Sequence, residues 1–276
     1  MNRTEAFKQG KALTPAESLQ LMKKALNFEE WPLRRQQFVP GFSPRTGSAL
    51  FTKEFTFQRE RLLPIISSWV GRNYFYDQVE SRSAFDLTVI VSQQSARDAA
   101  DGLLLQMVYT QMHSEPRANF TNPPLGEVTI YRHPDTKQSI AFVRNNVAIS
   151  IENYTSGRKQ PDLEGIAAEI DRGLQESPTV STLADDAHVP RITRFEPRST
   201  VLPPGGRTDL EIEVKDDYPP LQYLFRVELG SYNLDPAQGG RWYFRAGPVK
   251  GKAELTLTVV NQINLMAESR CSIAIE

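Results

Sequence analysis

The sequence predicts an α+β fold in two domains: an N-terminal module with helices packed on one face of a mainly antiparallel sheet, then a C-terminal β-sandwich. Between residues 84 and 176, hydrophobic periodicity gives the order strand, helix, three strands, helix. After residue 190 the helical period is absent, and short alternating strands recur about every ten residues between turn signals. A chain of 276 residues has room for both domains.

The helices of the N-terminal module are signalled by their caps and apolar stripes. Thr14, Pro15 and Glu17 form a capping-box pattern that opens a first helix ending near Leu26. Ser95, followed by Asp98, opens a second helix. The third helix, "DLEGIAAEIDRGLQ", carries one apolar stripe, consisting of Leu163, Ile166, Ala167, Ile170 and Leu174.

The segment "QSIAFVRNNVAISIEN", Gln138 to Asn153, reads as two strands joined by a two-residue turn. Asn145 and Asn146 suit that turn, because asparagine tolerates positive φ. The pairing would then place Arg144 opposite Val147, with Phe142 opposite Ile149 and Ile140 opposite Ile151 on the same face. Arg144 would lie at the rim of this face, its stem on Val147 and its guanidinium in water. The alternative is a bidentate contact with an anion or a carboxylate.

Residues 27–83 give a less definite pattern. A stretch rich in proline, glycine and aromatics, from Asn27 to Gly47, suggests a surface loop held by Trp31, Phe38 and Phe42. The run "ALFTKEFTFQ" fits a strand, whereas "RERLLPIISSWVGRNYFY" fits either a helix or a strand. The sequence therefore leaves the fold of residues 27–83 open.

Composition changes suggest the domain boundaries. Residues 1–177 form the α+β module, with its core in residues 84–176. Residues 178–190 are small, polar and bounded by proline, which is typical of a linker. Residues 191–276 form the sandwich.

The last 86 or so residues also resemble a known family. The leading "PRITRFEP", the turn "LPPGG", the strands "DLEIEVKDD" and "LQYLFRV", and the ending "LTLTVVNQINLMAESRCSIAI" are similar to bacterial PKD-type immunoglobulin-like domains. The Trp-Asp-Phe-Gly signature of many PKD domains is absent. The resemblance implies a spacer or protein-binding module on an exported protein. Through "IAFVRNNVAISI", the N-terminal module resembles modules of exported bacterial proteins of unassigned function.

Composition excludes some classes of partner. A formal net charge of −1 predicts no nucleic-acid binding and no attraction to an anionic membrane. The longest apolar run, "LLPIISSWV", is too short to cross a bilayer, so no direct membrane insertion is expected. No signal peptide is recognisable. The expected location is the periplasm or cell surface if a signal peptide was trimmed, and otherwise the cytoplasm.

Motifs for catalysis or cofactor binding are missing from the sequence. There is no Gly-x-Ser-x-Gly, no glycine-rich phosphate loop, and no serine or cysteine beside a base. Three scattered histidines and one cysteine, Cys271, do not make a metal site or an intramolecular disulfide. We therefore expect no catalytic residues, no metal and no cofactor, and we expect Cys271 to be a buried apolar residue of the last strand.

Two groups of residues remain as candidates for binding. Arg144, Tyr131 and His133 could line a ligand pocket in the α+β module; His133 stands two residues before Asp135 in a turn. In "GRWYFRAG", alternation places Trp242 and Phe244 in the core. Tyr243, Arg241 and Arg245 would then form an exposed aromatic and basic edge, and these residue types are enriched at protein interfaces.

The leading expectation is a non-enzymatic binding or interaction protein, whose bacterial origin the resemblance implies and whose partner is another protein of the cell envelope. The first alternative is a sensor of a small molecule or an anion, with a pocket in the α+β module. The second is an enzyme with a dispersed carboxylate site.

Overall fold

The structure, a computed structural model, describes residues 13–33, 37–45, 54–64, 68–80, 82–110, 116–131, 138–155, 160–183, 188–235 and 241–276. The chain divides into two compact units, Met1–Ala184 and Asp185–Glu276. It is mostly β, with large antiparallel sheets and three α-helices in the described ranges, in agreement with the α+β class.

One seven-stranded antiparallel sheet forms the centre of the first unit. Its strands are β1 (Thr56–Leu62), β2 (Trp69–Gln78), β3 (Ser83–Ser92), β4 (Arg117–Asn119), β5 (Val128–Tyr131), β6 (Ser139–Arg144) and β7 (Val147–Asn153). Their order across the sheet is β1-β2-β3-β7-β6-β5-β4. The segment that fitted either a helix or a strand contributes to both β1 and β2, so the sheet extends two strands beyond the predicted core.

Three helices pack around this sheet: α1 (Pro15–Ala25), α2 (Ala96–Tyr109) and α3 (Leu163–Glu176). A short 3₁₀ helix, Phe28–Glu30, follows α1. The predicted caps are confirmed: Thr14 and Glu17 make a reciprocal capping box, and the Ser95 hydroxyl accepts a hydrogen bond from the Asp98 amide at 3.0 Å. The predicted apolar stripe of α3 is confirmed as its buried face.

The β6–β7 hairpin has the predicted register. Arg144 pairs with Val147, Phe142 with Ile149 and Ile140 with Ile151. The turn residue Asn145 has a φ of 51°, in the left-handed region that asparagine tolerates.

The expectation that helices pack on only one face of the sheet is wrong. The hairpin carries buried apolar side chains on both faces, since Ala141, Val143 and Ala148 alternate with Phe142 and Ile149. The first set packs with α2, behind which α1 lies. The opposite face contacts α3 through Arg144 and Asp171. Because two apolar faces must both be covered, helices lie on both sides.

An irregular segment, residues 37–45, is hydrogen-bonded to the hairpin turn through the buried side chain of Asn146. The amide of Asn146 donates hydrogen bonds to the carbonyls of Ser92, at 2.8 Å, and Val39, at 3.2 Å. Its oxygen accepts a bond from the Val39 amide at 2.7 Å. Phe38 in turn forms an isolated β-bridge with Val180. The start of the segment predicted as a linker, residues 178–190, therefore belongs to the first unit.

Two four-stranded sheets make up the second unit. Its strands are β8 (Arg191–Pro197), β9 (Val201–Leu202), β10 (Arg207–Lys215), β11 (Gln222–Val227), β12 (Gly230–Asp235), β13 (Arg241–Ala246), β14 (Gly251–Val260) and β15 (Met266–Ile275). The sheet orders are β12-β13-β10-β8 and β11-β14-β15-β9. Both sheets contribute to one hydrophobic cluster. Phe225 of β11, for example, lies 4.8 Å from Trp242 of β13, measured between ring centroids.

Candidate ligand-binding groove

A groove of about 730 Å³ lies in the first unit, between the sheet and the C-terminal half of α2. Strands β1, β2, β3 and β7 form its floor. The α2 side contributes Leu103, Gln106 and Met107, and the exposed Tyr109 and Tyr154 stand at its rim. Helix α2 covers only the apolar part of this sheet face, so the polar part remains open as the groove.

The floor consists of two rows of side chains that run across the strands. The first row passes through paired positions on β1, β2, β3 and β7, namely Arg59, Phe75, Asp86 and Glu152. The second row crosses the same four strands two residues away on the same face, and consists of Arg61, Asn73, Thr88 and Ser150. Each row therefore begins with a cation on β1, and the first row ends in two carboxylates.

A β-bulge explains why both arginines point into the groove. The pairing of β1 with β2 shifts between Phe57 and Arg59, leaving Gln58 as an extra residue. Phe57 consequently packs on Tyr76 on the opposite face, with ring centroids 5.8 Å apart. Glu60 also points to that face, where it pairs with the buried Arg72 at 2.8 Å. Of the charged residues of β1, only the two arginines therefore face the groove.

Asp86 and Glu152 oppose one another directly across the β3–β7 pair. Burial raises the pKa of the Asp86 carboxyl, and a 3.5 Å hydrogen bond from Asn73 and the charge of Arg59 offset part of that rise. Two like charges in directly opposed positions on adjacent strands destabilise a sheet. This end of the groove therefore favours a positively charged ligand group.

Two buried polar atoms of the groove have no hydrogen-bond partner in the described part of the protein. They are the hydroxyl oxygen of Ser150, a residue only 4% exposed, and Nε2 of Gln106. Ser150 lies on β7, two residues before Glu152 and on the same face. Since buried polar groups normally find a partner, each unsatisfied atom calls for an explanation.

The opposite side of the floor is basic and aromatic. The guanidinium of Arg59 lies 5.2 Å from the centroid of the Phe75 ring, in cation–π geometry. Neither Arg59 nor Arg61 makes an ion pair with another described residue. Glu60, the acidic residue between them, forms ion pairs with Arg45 and Arg72 instead. Both guanidinium groups are thus available to an anion.

Two of the predicted ligand residues, Arg144 and Tyr131, do not line this groove. Arg144 donates two hydrogen bonds to Asp171 of α3, at 2.5 and 2.9 Å, so the bidentate carboxylate contact is made within the chain. Burial alone would lower the pKa of Arg144, but the hydrogen bond and charge of Asp171, with the charge of Glu127, raise it. Tyr131 ends β5, paired with Ile140. His133 lies outside the described residues.

The edge predicted in the second unit is formed in part, since Trp242, expected in the core, and Tyr243, expected at the surface, are both half-buried. Phe244 is fully buried, Tyr243 is half-buried on the other face, and Arg241 and Arg245 are exposed. The guanidinium of Arg207 stacks 3.8 Å from the Tyr243 ring centroid, adding a third cation. Arg207 is itself paired with Asp209, which lies opposite Tyr243, so this surface carries an acidic side chain as well.

The groove residues were not predicted, although the sequence contains a signal for them. On the face where β3 and β7 carry Ile90 and Ala148, the next positions change to Thr88 and Ser150, and then to Asp86 and Glu152. When one face of two neighbouring strands changes from apolar to charged within two residue pairs, the pattern indicates where a packed helix stops covering the sheet.

Within the described ranges, no group of three or more histidine, cysteine or acidic side chains could hold a metal ion. No helix in those ranges is long and apolar enough to span a membrane. In comparisons with known proteins, no protein-family model matches the chain, and no curated protein is significantly similar to it.

Proposed function

We propose that this chain is a non-enzymatic binding protein that holds a small polar ligand in the groove beside α2. The observation that carries the proposal is the hydroxyl of Ser150, which is buried without a partner in a groove of ligand-binding size. Leaving such a group unsatisfied costs about 1–3 kcal/mol. A ligand that accepts or donates a hydrogen bond there would recover this cost.

The size and composition of the groove support the same proposal. A volume of about 730 Å³ lies in the usual range for small-molecule sites, and Leu103, Met107 and Phe75 provide apolar contact around the polar groups. This favours the sensor alternative over a purely protein-binding role for the first unit. Its ligand residues would be Asp86, Ser150 and their neighbours, rather than Arg144, Tyr131 and His133.

For the second unit, we propose an immunoglobulin-like sandwich that serves as a spacer or protein-binding module. The strand orders β12-β13-β10-β8 and β11-β14-β15 correspond to the DEBA and CFG sheets of immunoglobulin domains, and this supports the assignment. Tyr243, Arg241 and Arg245 would face the partner. The resemblance to PKD-type domains also implies a bacterial envelope location, which we include in this proposal.

An enzyme remains the second candidate, because one observation favours it. Asp86 and Glu152 are opposed carboxylates, and burial raises the pKa of Asp86, as a general acid requires. Turnover of a glycoside that is lost in Asp86→Asn would support the enzyme. Ligand binding without turnover supports the binding protein.

The test is a thermal-shift screen of the full chain against a library of small polar molecules. Preferential binding to the folded state must raise the melting temperature. For each hit, Ser150→Ala should weaken binding about five- to ten-fold through loss of one hydrogen bond. Thr88→Phe, which fills the floor of the groove, should abolish it.

Ser139→Ala is the matched control for this screen. Ser139 is also 4% exposed, also has an unpartnered hydroxyl among the described residues, and lies opposite Glu152 in the sheet, but it does not line the groove. Its replacement should leave every hit unchanged. The proposal fails if no compound raises the melting temperature, or if hits bind Thr88→Phe as well as they bind the unmodified chain.

A further inference from the structure

We propose that the ligand of the groove is a small zwitterion, with a primary ammonium bound by Asp86, Glu152 and Ser150 and a carboxylate bound by Arg59 and Arg61. This inference rests on the proposed function and specifies its ligand class. It follows from the separation of charge along the floor, where the two arginines lie on β1 and the two carboxylates lie on β3 and β7.

The acidic end matches the hydrogen-bonding needs of an ammonium group. Three N–H donors require three acceptors, and the two carboxylates together with the Ser150 hydroxyl oxygen supply them. Glu152 and Ser150 project from the same face of β7, while Asp86 faces Glu152 from β3. A bound cation would also relieve the repulsion between the opposed carboxylates, so the site gains more from a cation than from a neutral donor.

The basic end matches a carboxylate. Arg59 and Arg61 stand two residues apart on β1, after the bulge, and both line the groove. Contact with the Phe75 ring restrains the guanidinium of Arg59, which lowers the entropy cost of ordering it around an anion. A guanidinium binds a carboxylate through two parallel hydrogen bonds, with more geometric specificity than an ammonium gives.

The width of the floor sets the length of the ligand. Strands β1 and β3 are separated by β2, so their backbones lie about 10 Å apart. The arginine side chains reach inward and shorten this span. The ligand charges should therefore be separated by several ångströms, joined by a short aliphatic chain that packs on Phe75 below and on Leu103 and Met107 of α2 above.

A ligand of one charge would leave half of the groove unused. A simple anion would contact the arginines but would be repelled by Asp86 and Glu152. A simple amine would contact the carboxylates but would place no acceptor near the arginines and Nε2 of Gln106. The zwitterion alone complements both ends.

The experiment is isothermal titration of the full chain with three probes of equal chain length: ε-aminocaproate, hexylamine and caproate. ε-Aminocaproate carries both charges, and each of the others carries one. We expect ε-aminocaproate to bind at least about ten-fold more tightly than either partner probe, since only it forms charge-assisted bonds at both ends.

Two variants assign the ends of the ligand. Asp86→Asn should weaken ε-aminocaproate and hexylamine by about ten-fold or more, and Arg61→Met should do the same for ε-aminocaproate and caproate. Glu164→Gln, on the exposed face of α3, is the control and should change no affinity. Equal binding of hexylamine and ε-aminocaproate would overturn the anion-binding half, and equal binding of caproate would overturn the ammonium-binding half.

The result also separates this inference from the function on which it rests. If none of the three probes binds, but compounds of other chemistry raise the melting temperature and are lost in Thr88→Phe, the zwitterion proposal is overturned and the binding function stands. If no compound of any kind binds the groove, both are overturned.

Discussion

Arg144 and Asp171 form a bidentate ion pair that joins the β6–β7 hairpin to α3. The two donor–acceptor distances are 2.5 and 2.9 Å, and the side chains are 17% and 5% exposed. Gln175, one turn further along α3, donates a third hydrogen bond to the same carboxylate at 3.0 Å. The arginine thus positions a helix on the sheet.

Removing one partner of this pair should destabilise the first unit. Asp171→Ala leaves the guanidinium of Arg144 largely buried without its counter-charge, and we expect a loss of about 2–4 kcal/mol in the free energy of unfolding. Urea denaturation followed by circular dichroism measures it. Glu254→Ala, at a solvent-exposed pair with Lys252, is the control and should leave the unfolding midpoint unchanged. Equal effects of the two substitutions would argue against a structural role for Arg144.

The two asparagines of the hairpin turn should respond differently to substitution. Asn146 is fully buried, and its side chain satisfies backbone groups of Val39 and Ser92, so Asn146→Ala should cost about 2–3 kcal/mol. Asn145 is needed only for its positive φ, and Asn145→Gly should stay within a few tenths of a kcal/mol. Chemical denaturation of both variants tests this, and a costly Asn145→Gly would contradict it.

Two helical glycines offer a matched pair for stability. A Cβ on Gly173 of α3 would meet no atom within 4 Å, so Gly173→Ala should stabilise by up to about 1 kcal/mol. A Cβ on Gly102 of α2 would lie 2.7 Å from the ring of the buried Trp69. Gly102→Ala should therefore destabilise by about 1–3 kcal/mol, despite its better helix propensity. Melting temperatures that shift in the same direction for both variants would contradict this prediction.

Asp86 should make stability depend on pH. A carboxyl whose pKa is raised by burial binds its proton more tightly in the folded chain, so its stabilising contribution is present in acid. That contribution is lost as the pH rises from the usual carboxyl pKa through the raised one. We expect Asp86→Asn to remove this decline and to stabilise the chain at pH 7 by about 0.5 kcal/mol. Urea titrations across pH 4–7 measure it, with Asp217→Asn, in an exposed turn, as the control.

Cys271 should be a slow nucleophile. Burial raises the pKa of its thiol to about 11, so very little thiolate is present at neutral pH in the folded chain. We expect modification by a disulfide reagent at pH 8 to be about a hundred-fold slower than in the urea-unfolded chain. Comparable rates in the two states would show that the β14–β15 region opens readily.

How far the sequence predicts this molecule depends on whether a feature is local. The Asn145–Asn146 turn, the helix caps and the strand alternation of β13 depend on neighbouring residues, and each was predicted. The groove depends on strands far apart in the chain. The bulge at Gln58 also reverses the alternation between Phe57 and Arg59, so a regular pattern would place both on one face. The prediction that the guanidinium of Arg144 lies in water is wrong, because it binds Asp171, a partner from a helix that sequence alone could not position.

The strand order of the first unit has a consequence for folding kinetics. Strands β1, β2 and β3 pair in sequence, as do β4, β5, β6 and β7, so nearly all pairings close short loops. Among the described strands of this sheet, only β3 and β7 pair across a long stretch of chain, and they lie at its centre. Because closing a long loop costs more entropy before native contacts form, we expect this junction to determine the folding barrier of the first unit.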